Sequence, residues 1–355
     1  MNLSEEERER YSRHLVLKGF GTEAQLKLKA SSVLVVGAGG LGCPCLLYLV
    51  AAGVGHIGIA DGDVVTLSNL QRQVLYNEAD VGKFKAETAR NFLQAKNSSI
   101  RITAFNTKIH EENVNEILID FDLVIDGSDN FSTRYLLNDA CVILNKPLVS
   151  GALFEFEGQL STFNYKGGPT YRCLFPNPPQ QPDFAGCGET GVLGVLPGII
   201  GTYQASEALK VLTGIGEVLS GKLLVINLLS NDTSFISFKA NSRQNEPGDL
   251  KPVEVRKEVE IKSITPAELD TMMQSGPVQL IDVREEYEYE RFNIGGINLP
   301  FSVLEESLRI IEVKNNVILI CQTGSRSAKA LISFKNFFPE NQFYNLEGGL
   351  NSYLK

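Results

Sequence analysis

The sequence predicts an α/β fold in two domains, and three observations predict it. Val33-Leu34-Val35-Val36 is a short, β-rich apolar run that ends in Gly37-Ala38-Gly39-Gly40-Leu41-Gly42 and gives way to an apolar helical pattern. Segments at 57–60, 100–106 and 122–126 repeat the strand signal with helical patterns between them, the alternation that builds a parallel sheet. A polar stretch at 241–258 carries Pro247, Gly248 and Pro252, and strand–helix alternation starts afresh beyond it. The expected organisation is a first domain over 1–240, a linker over 241–258 and a smaller α/β domain over 259–355.

Composition narrows the function classes. At 355 residues the chain is comfortable for two domains, and its 43% hydrophobic content fills sizeable cores. The net charge of −9 argues against a nucleic-acid partner. No run approaches the ~18 apolar residues that span a bilayer. Met1 to Arg10 is acidic and polar, unlike a secretory signal, so the expectation is a cytoplasmic protein with no membrane partner. Six cysteines (Cys43, Cys45, Cys141, Cys173, Cys187 and Cys321) lack framework spacing, and such a chain keeps them reduced. The three histidines, His14, His56 and His110, argue against chemistry that needs several imidazoles.

Residues 3–29 read as a charged helical arm with Tyr11, Leu15 and Val16 on one side and Arg8, Arg10 and Arg13 on the other. Then comes the glycine turn. Glycines 37, 39 and 42 match G-x-G-x-x-G between a strand and a helix, where backbone approaches phosphate and the helix start offers free N–H groups. Cys43 and Cys45 fall in that helix among leucines and read as core. The next strand ends at Asp61, about 20 residues past the glycines, where an acid accepts hydrogen bonds from a ribose. NAD and ATP are equally served to this point.

The following stretch separates them. Asp61-Gly62-Asp63 leads to Ser68-Asn69-Leu70-Gln71-Arg72-Gln73, and Lys85 follows in a helix expected to begin near Val81-Gly82. A triphosphate carries about four negative charges and needs such cations, whereas a nicotinamide dinucleotide needs few beyond the helix end. The strand at 122–126 ends in Asp126-Gly127-Ser128-Asp129-Asn130. Asp129 at a strand's carboxyl end suits magnesium, and equally suits the cap of the helix that carries Arg134.

Arg10-Tyr11-Ser12-Arg13, the glycine cradle, Asp61-Gly62-Asp63, Ser68–Gln73, Lys85 and Asp129-Asn130 occur in the order seen in the MoeB/ThiF family, the ubiquitin-activating-type adenylyltransferases, which residues 1 to about 240 resemble. The resemblance implies a Rossmann-like ATP-binding domain with a mixed sheet. It implies adenylylation of the C-terminal glycine of a ubiquitin-like sulfur carrier that ends in Gly-Gly. That carboxylate has a pKa of about 3.5, so no general base is required. On this resemblance Gly37, Gly39, Gly40, Gly42 and Asp61 hold the nucleotide. Asp63, Ser68, Asn69, Arg72, Gln73, Lys85 and Asn130 complete the site, with Asn69, Arg72 and Lys85 on phosphates, and Asp129 places Mg2+. Arg13 resembles the arginine that family members donate to a partner subunit, which implies a homodimer.

Strand-like segments at 158–164 read as antiparallel additions, and a proline-rich loop runs from Tyr171 to Gly194. Cys187 matches the family's loop cysteine, which in some members bonds covalently to the carrier or its sulfur. Many relatives hold a structural zinc with two Cys-x-x-Cys pairs. Here Thr170 replaces the first cysteine and the tail after 240 has no such pair, so no zinc is expected. An apolar helix at 198–213 and strands at 222–229 and 234–239 close the domain.

In the second domain, a strand at 278–281 leads to Asp282-Val283-Arg284-Glu285. A strand at 317–320 ends in Cys321-Gln322-Thr323-Gly324-Ser325-Arg326-Ser327 and a helix follows. Successive N–H groups in such a loop make an anion nest, and Arg326 is expected to add positive potential. The domain resembles a rhodanese, with Gly348-Gly349 a further landmark, which implies that Cys321 carries sulfur as a persulfide. The combined expectation is an adenylyltransferase and sulfurtransferase feeding molybdopterin, thiamine or tRNA thiolation, supplied by a cysteine desulfurase or thiosulfate. Its rivals are an NAD-linked oxidoreductase, against which Arg72 and Lys85 speak, and a non-catalytic carrier-binding scaffold.

Overall fold

The computed structural model describes residues 2–178, 191–241, 262–308, 310–313 and 316–354. The chain divides into two compact units, Met1–Val253 and Glu254–Lys355.

The first unit opens with helices α1 (Glu5–Arg10), α2 (Ser12–Leu15) and α3 (Gly21–Ala30). The expected arm is thus three short helices, interrupted at Tyr11 and again at Gly19 and Gly21, both at positive φ. Tyr11 is buried as expected, but Val16 is 77% exposed. Strands β1 (Ser32–Val36), β2 (His56–Ala60), β3 (Arg101–Phe105), β4 (Leu123–Asp126) and β5 (Leu148–Phe154) follow. They alternate with α4 (Gly42–Ala52), α5 (Lys85–Lys96), α6 (Val114–Leu118) and α7 (Phe131–Ile143). After β6 (Glu157–Phe163) come α8 (Tyr171–Leu174), α9 (Val195–Thr213), β7 (Lys222–Asn227) and β8 (Asp232–Ser237).

The sheet runs β3-β2-β1-β4-β5-β6-β7-β8. Its first five strands are parallel and the rest antiparallel, the mixed sheet anticipated above. Residue alternation explains why both faces are covered. Val33, Val35, Ile57 and Ile59 pack under α4, α5 and α9, while Leu34, Val36 and Val124 face Phe121, α6 and α7. Strand order reverses between β1 and β4, so their carboxyl ends open the crevice where doubly wound sheets bind ligands.

The second unit holds β9 (Ser263–Ile264), α10 (Pro266–Ser275), β10 (Gln279–Asp282), α11 (Glu286–Arg291) and β11 (Ile297–Asn298), then α12 (Leu304–Leu308), β12 (Val317–Ile320), α13 (Ser325–Phe337), β13 (Phe343–Leu346) and α14 (Gly349–Tyr353). Its sheet, β11-β10-β12-β13-β9, is parallel throughout. Val317 and Leu319 point into one core with Phe334 and Phe343, and Ile318 and Ile320 into the other with Leu269 and Leu350.

Candidate functional site

The β1–α4 turn and the β4–α7 turn lie against each other. Gly37 has φ +90°, and a Cβ there would stand 2.7 Å from Gly127 O, so only glycine fits. Asp61, at the end of β2, reaches across: its Oδ2 accepts from Ala38 N at 2.8 Å and its Oδ1 from Asp63 N at 2.8 Å. Burial pushes the Asp61 carboxyl above its ordinary range, opposed by the charge of Lys85 and by those two N–H groups.

Lys85 is buried, with its ammonium 3.3 Å from Asp63 Oδ2. Its helix begins at Lys85 itself, later than the Val81-Gly82 start expected. Gly82 has φ +89° and donates to Val65 O, and Val64 bridges Phe84, so the preceding residues are held in a bridge rather than a helical turn. Gln73 is buried beside Gly39, and its Oε1 has no hydrogen-bond partner. Arg72 donates to Ser68 O at 3.1 Å, and Asn69 Oδ1 accepts from Thr66 N at 3.3 Å. A Cβ on Gly40 would stand 3.4 Å from the Arg72 side chain, and one on Gly42 would collide with Gly37 O. The structure therefore gathers Gly37, Gly39, Gly40, Gly42, Asp61, Asp63, Arg72, Gln73 and Lys85, with Ser68 and Asn69 shaping the turn that carries Arg72.

The β4 end settles one open alternative. Asn130, not Asp129, caps α7, accepting from Thr133 N at 2.9 Å, and Asp129 stands exposed. Among the described residues no group of three or more His, Cys, Asp or Glu is placed to hold a metal ion. A single exposed carboxylate nonetheless suits Mg2+, which binds through one or two carboxylates plus substrate phosphates. The buried, unpartnered Gln73 Oε1 beside Gly39, together with the Lys85 ammonium, suits a nucleotide. Arg13 lies exposed on α2, with no hydrogen bond to the cradle. Cys187 lies outside the described residues. Cys173 Sγ accepts from Thr170 N and Asn241 N, each at 3.4 Å.

Three supporting residues escaped the sequence reading. Tyr76 donates to Ala38 O at 2.8 Å and so fixes the glycine turn from behind. Asp126 is fully buried at the end of β4, where Ser128 N (2.9 Å) and the hydroxyls of Ser128 and Ser150 (2.6 and 2.8 Å) bond its carboxylate. Gln204 donates to Asp126 O at 2.6 Å. An acid ending a strand just before Gly-Ser was the one available signal. Cys43 and Cys45 are core, as expected; burial pushes the Cys43 thiol up to about 12, and Cys45 rises for the same reason.

In the second unit Cys321 directly follows β12, fully buried, and its Sγ accepts from Gly324 N at 3.1 Å and Ser327 Oγ at 3.3 Å. The loop is fixed from two sides. Leu350 N donates to Cys321 O at 2.9 Å, and Gly349, at φ +59°, fits against that carbonyl where a Cβ would collide. Arg284, clamped by Asp282 (2.6 Å), donates to Gln322 Oε1 at 3.2 Å. Arg326, expected to add positive potential at this loop, has both its terminal nitrogens bonded to Glu288, at 2.6 and 2.8 Å.

The fold and these two loops define a class: a nucleotide-binding α/β domain joined to a unit that presents a thiol from a strand–loop–helix nest. The comparisons with known proteins agree. Residues 11–248 match the ThiF family and residues 265–355 the rhodanese-like domain. The adenylyltransferase and sulfurtransferase MOCS3 of Drosophila persimilis is 41% identical over 97% of this chain and 82% of its own. MOCS3-1 of Zea mays is 40% identical over 91% of this chain and 76% of its own. Among solved structures, PaaA (TM-score 0.58, 24% identity, 67% of this chain and 75% of that one) and E. coli MccB with ATP (0.58, 22%, 68% and 75%) share the fold. The chain belongs to the ThiF family and ends in a rhodanese-like domain; it is an enzyme, an adenylyltransferase and sulfurtransferase.

Proposed function

We propose that the chain adenylylates the C-terminal glycine of a ubiquitin-like sulfur carrier ending in Gly-Gly, with ATP as co-substrate, and then converts that carboxyl to a thiocarboxylate with sulfur from Cys321. The observation that carries this reading is Lys85. A buried ammonium, paired with an Asp63 carboxylate that is 56% exposed, waits beside a glycine turn. A phosphate can replace that carboxylate, and a triphosphate, with about four negative charges, has more need of such a cation than a dinucleotide's pyrophosphate.

In this reading Asp61 holds the ribose, while Gly37, Gly39, Gly40 and Gly42 let the backbone meet the phosphates. Arg72, Lys85 and Asn69 neutralise and orient them, with Ser68, Gln73 and Asn130 completing the wall. Mg2+, held at Asp129, would supply further charge neutralisation. The carrier carboxylate, ionised at neutral pH, needs alignment rather than a base. Arg13 serves the site of a second copy, so the working form is a homodimer; the exposed Val16 and Leu17 beside it offer apolar surface for that contact.

Sulfur transfer then balances for one turnover, and an external dithiol reductant returns the resulting disulfide to two thiols. The outer sulfur of a Cys321 persulfide bonds the carrier carbonyl carbon, and AMP leaves with the electron pair of the broken C–O bond. A second thiolate attacks Cys321 Sγ, forms a disulfide with it and releases the thiocarboxylate. Cys187 is the candidate for that thiol, or alternatively takes the acyl group itself. A domain at 1–240 and one at 259–355, joined by 241–258, would keep the donor at high local concentration. A product of this kind serves molybdopterin, thiamine or tRNA thiolation in the cytoplasm. The test is carrier-dependent ATP–pyrophosphate exchange. Exchange with a Gly-Gly carrier, reduced in Arg72→Ala and Arg13→Ala, is the expected result; no exchange with any such carrier removes the reading.

A further inference from the structure

Two guanidinium groups face the Cys321 loop, and each is already paired. Buried Arg284 is clamped by Asp282, with Nε to Oδ1 at 3.0 Å and Nη2 to Oδ2 at 2.6 Å. Arg326, the sixth residue of the loop, meets Glu288 of α11 in a two-pronged pair, Nη1 to Oε2 at 2.6 Å and Nη2 to Oε1 at 2.8 Å. Glu288 is not a wandering surface carboxylate. Its Oε2 also accepts from Glu285 N at 3.2 Å in the capping box of α11, so the carboxylate is held in place from its own helix. Arg326 directly precedes Ser327, whose hydroxyl donates to Cys321 Sγ at 3.3 Å, so the paired cation sits in the same loop as the thiol. Neither guanidinium is left uncompensated: two cations face three carboxylates, Asp282, Glu285 and Glu288.

We propose that Glu288 is a specificity-determining residue for loading sulfur onto Cys321: by holding Arg326 it withholds the loop's cation from dianionic donors of the thiosulfate class, and it leaves donors of lower charge, such as a thiol-borne persulfide, little affected. The proposal rests on the reading of Cys321 as the sulfur carrier. The chemistry is the same for both donor classes. Cys321 Sγ bonds the donor's outer sulfur and the donor's S–S bond breaks. Its electron pair leaves with sulfite from thiosulfate or with a thiolate from a persulfide, and there is no net oxidation. Only the charge of the approaching group differs, so only the dianion gains strongly from an unmasked guanidinium.

The experiment loads the full chain with thiosulfate or with cysteine persulfide, which carries a single net negative charge, and follows the added sulfur on Cys321 by mass spectrometry. Glu288→Gln keeps the capping acceptor and removes the charge. It should raise the thiosulfate-to-persulfide ratio of loading rates about 10-fold at low salt, and the gain should shrink as salt rises. Adding Arg326→Gln to Glu288→Gln should return the ratio toward that of the parent chain. Because the readout is a ratio, any unfolded fraction lowers both rates alike and cancels. An unchanged ratio, a gain indifferent to salt, or a gain that survives loss of Arg326 would each overturn the proposal. Undiminished sulfur loading of Cys321→Ala would instead overturn the carrier reading on which it rests.

Discussion

Both chemistry-bearing loops of this chain follow a parallel strand and open a helix, yet they treat charge in opposite ways. In the cradle after β1, the nearby cation, Lys85, is buried and its partner Asp63 is more than half exposed. An incoming anion can take the partner's place. In the loop after β12 the cations are locked: Arg284 in a buried pair with Asp282, Arg326 in a two-pronged pair with Glu288. There the backbone faces inward as well, with Gly324 N bonding Cys321 Sγ rather than an outside group. The first loop is arranged to receive negative charge, and the second to steady one sulfur atom. The same local architecture thus supports binding of a polyanion or presentation of a nucleophile, according to where the neighbouring carboxylates are anchored.

The largest effect that tests this contrast is loss of the sulfur. Cys321→Ala should lower thiocyanate formation from thiosulfate and cyanide by roughly a thousandfold or more, while carrier-dependent pyrophosphate exchange continues. Equal loss of both activities would break the comparison, because the two loops would then act as one site. Next is the exchangeable cation. Lys85→Ala should reduce kcat/KM for pyrophosphate exchange about 100-fold, the size seen when one positioned charge donor is removed. Asp63→Asn sharpens the point. If Asp63 only holds the place of a phosphate, its loss should reduce exchange far less than loss of Lys85.

These contrasts divide cleanly into what the sequence could reveal and what it could not. Asp61 and Cys321 were legible as positions because each directly follows a strand whose apolar pattern is plain, and the partners of Cys321, Gly324 and Ser327, lie within six residues. The strand order was legible for the same reason, since short alternating segments admit few topologies. The start of α5 was not, because the positive φ of Gly82 and the bridge from Val64 to Phe84 are tertiary choices that override a helical pattern. Asn130 took the cap from Asp129 by one residue, a shift that propensity cannot resolve. The masking of Arg326 was out of reach, since Glu288 lies 38 residues away on another helix.

A third, smaller effect separates the loops by stability. Gly349 holds φ +59° against the Cys321 carbonyl. Gly349→Ala should destabilise its unit by at least about 1–2 kcal/mol from the backbone alone, with the collision added. Thermal inactivation of thiocyanate formation should move to lower temperature, with the midpoint for pyrophosphate exchange unmoved. A parallel drop in both would show that the units unfold together.

The smallest effect lies in pH, and its sign differs between the loops. The Glu288 carboxyl is held below the ordinary range, foremost by its hydrogen bond with Arg326. Its stabilisation is complete above the unfolded pKa of about 4.3 and is lost as pH falls through the lowered folded value. Asp61 is the reverse case, raised foremost by burial. Between the unfolded value of about 3.9 and its raised folded value the folded chain binds more protons, so its contribution falls as pH rises. The Glu288–Arg326 pair is partly exposed, which limits it to about 1 kcal/mol or less. The Tm of Glu288→Gln relative to the parent chain should therefore fall as pH rises from 3 toward 7, levelling above about 5. The relative Tm of Asp61→Asn should rise over the same interval. Two curves of the same slope would mean that pairing and burial do not oppose each other in these loops, and the contrast between a receptive cradle and a locked one would lose its electrostatic basis.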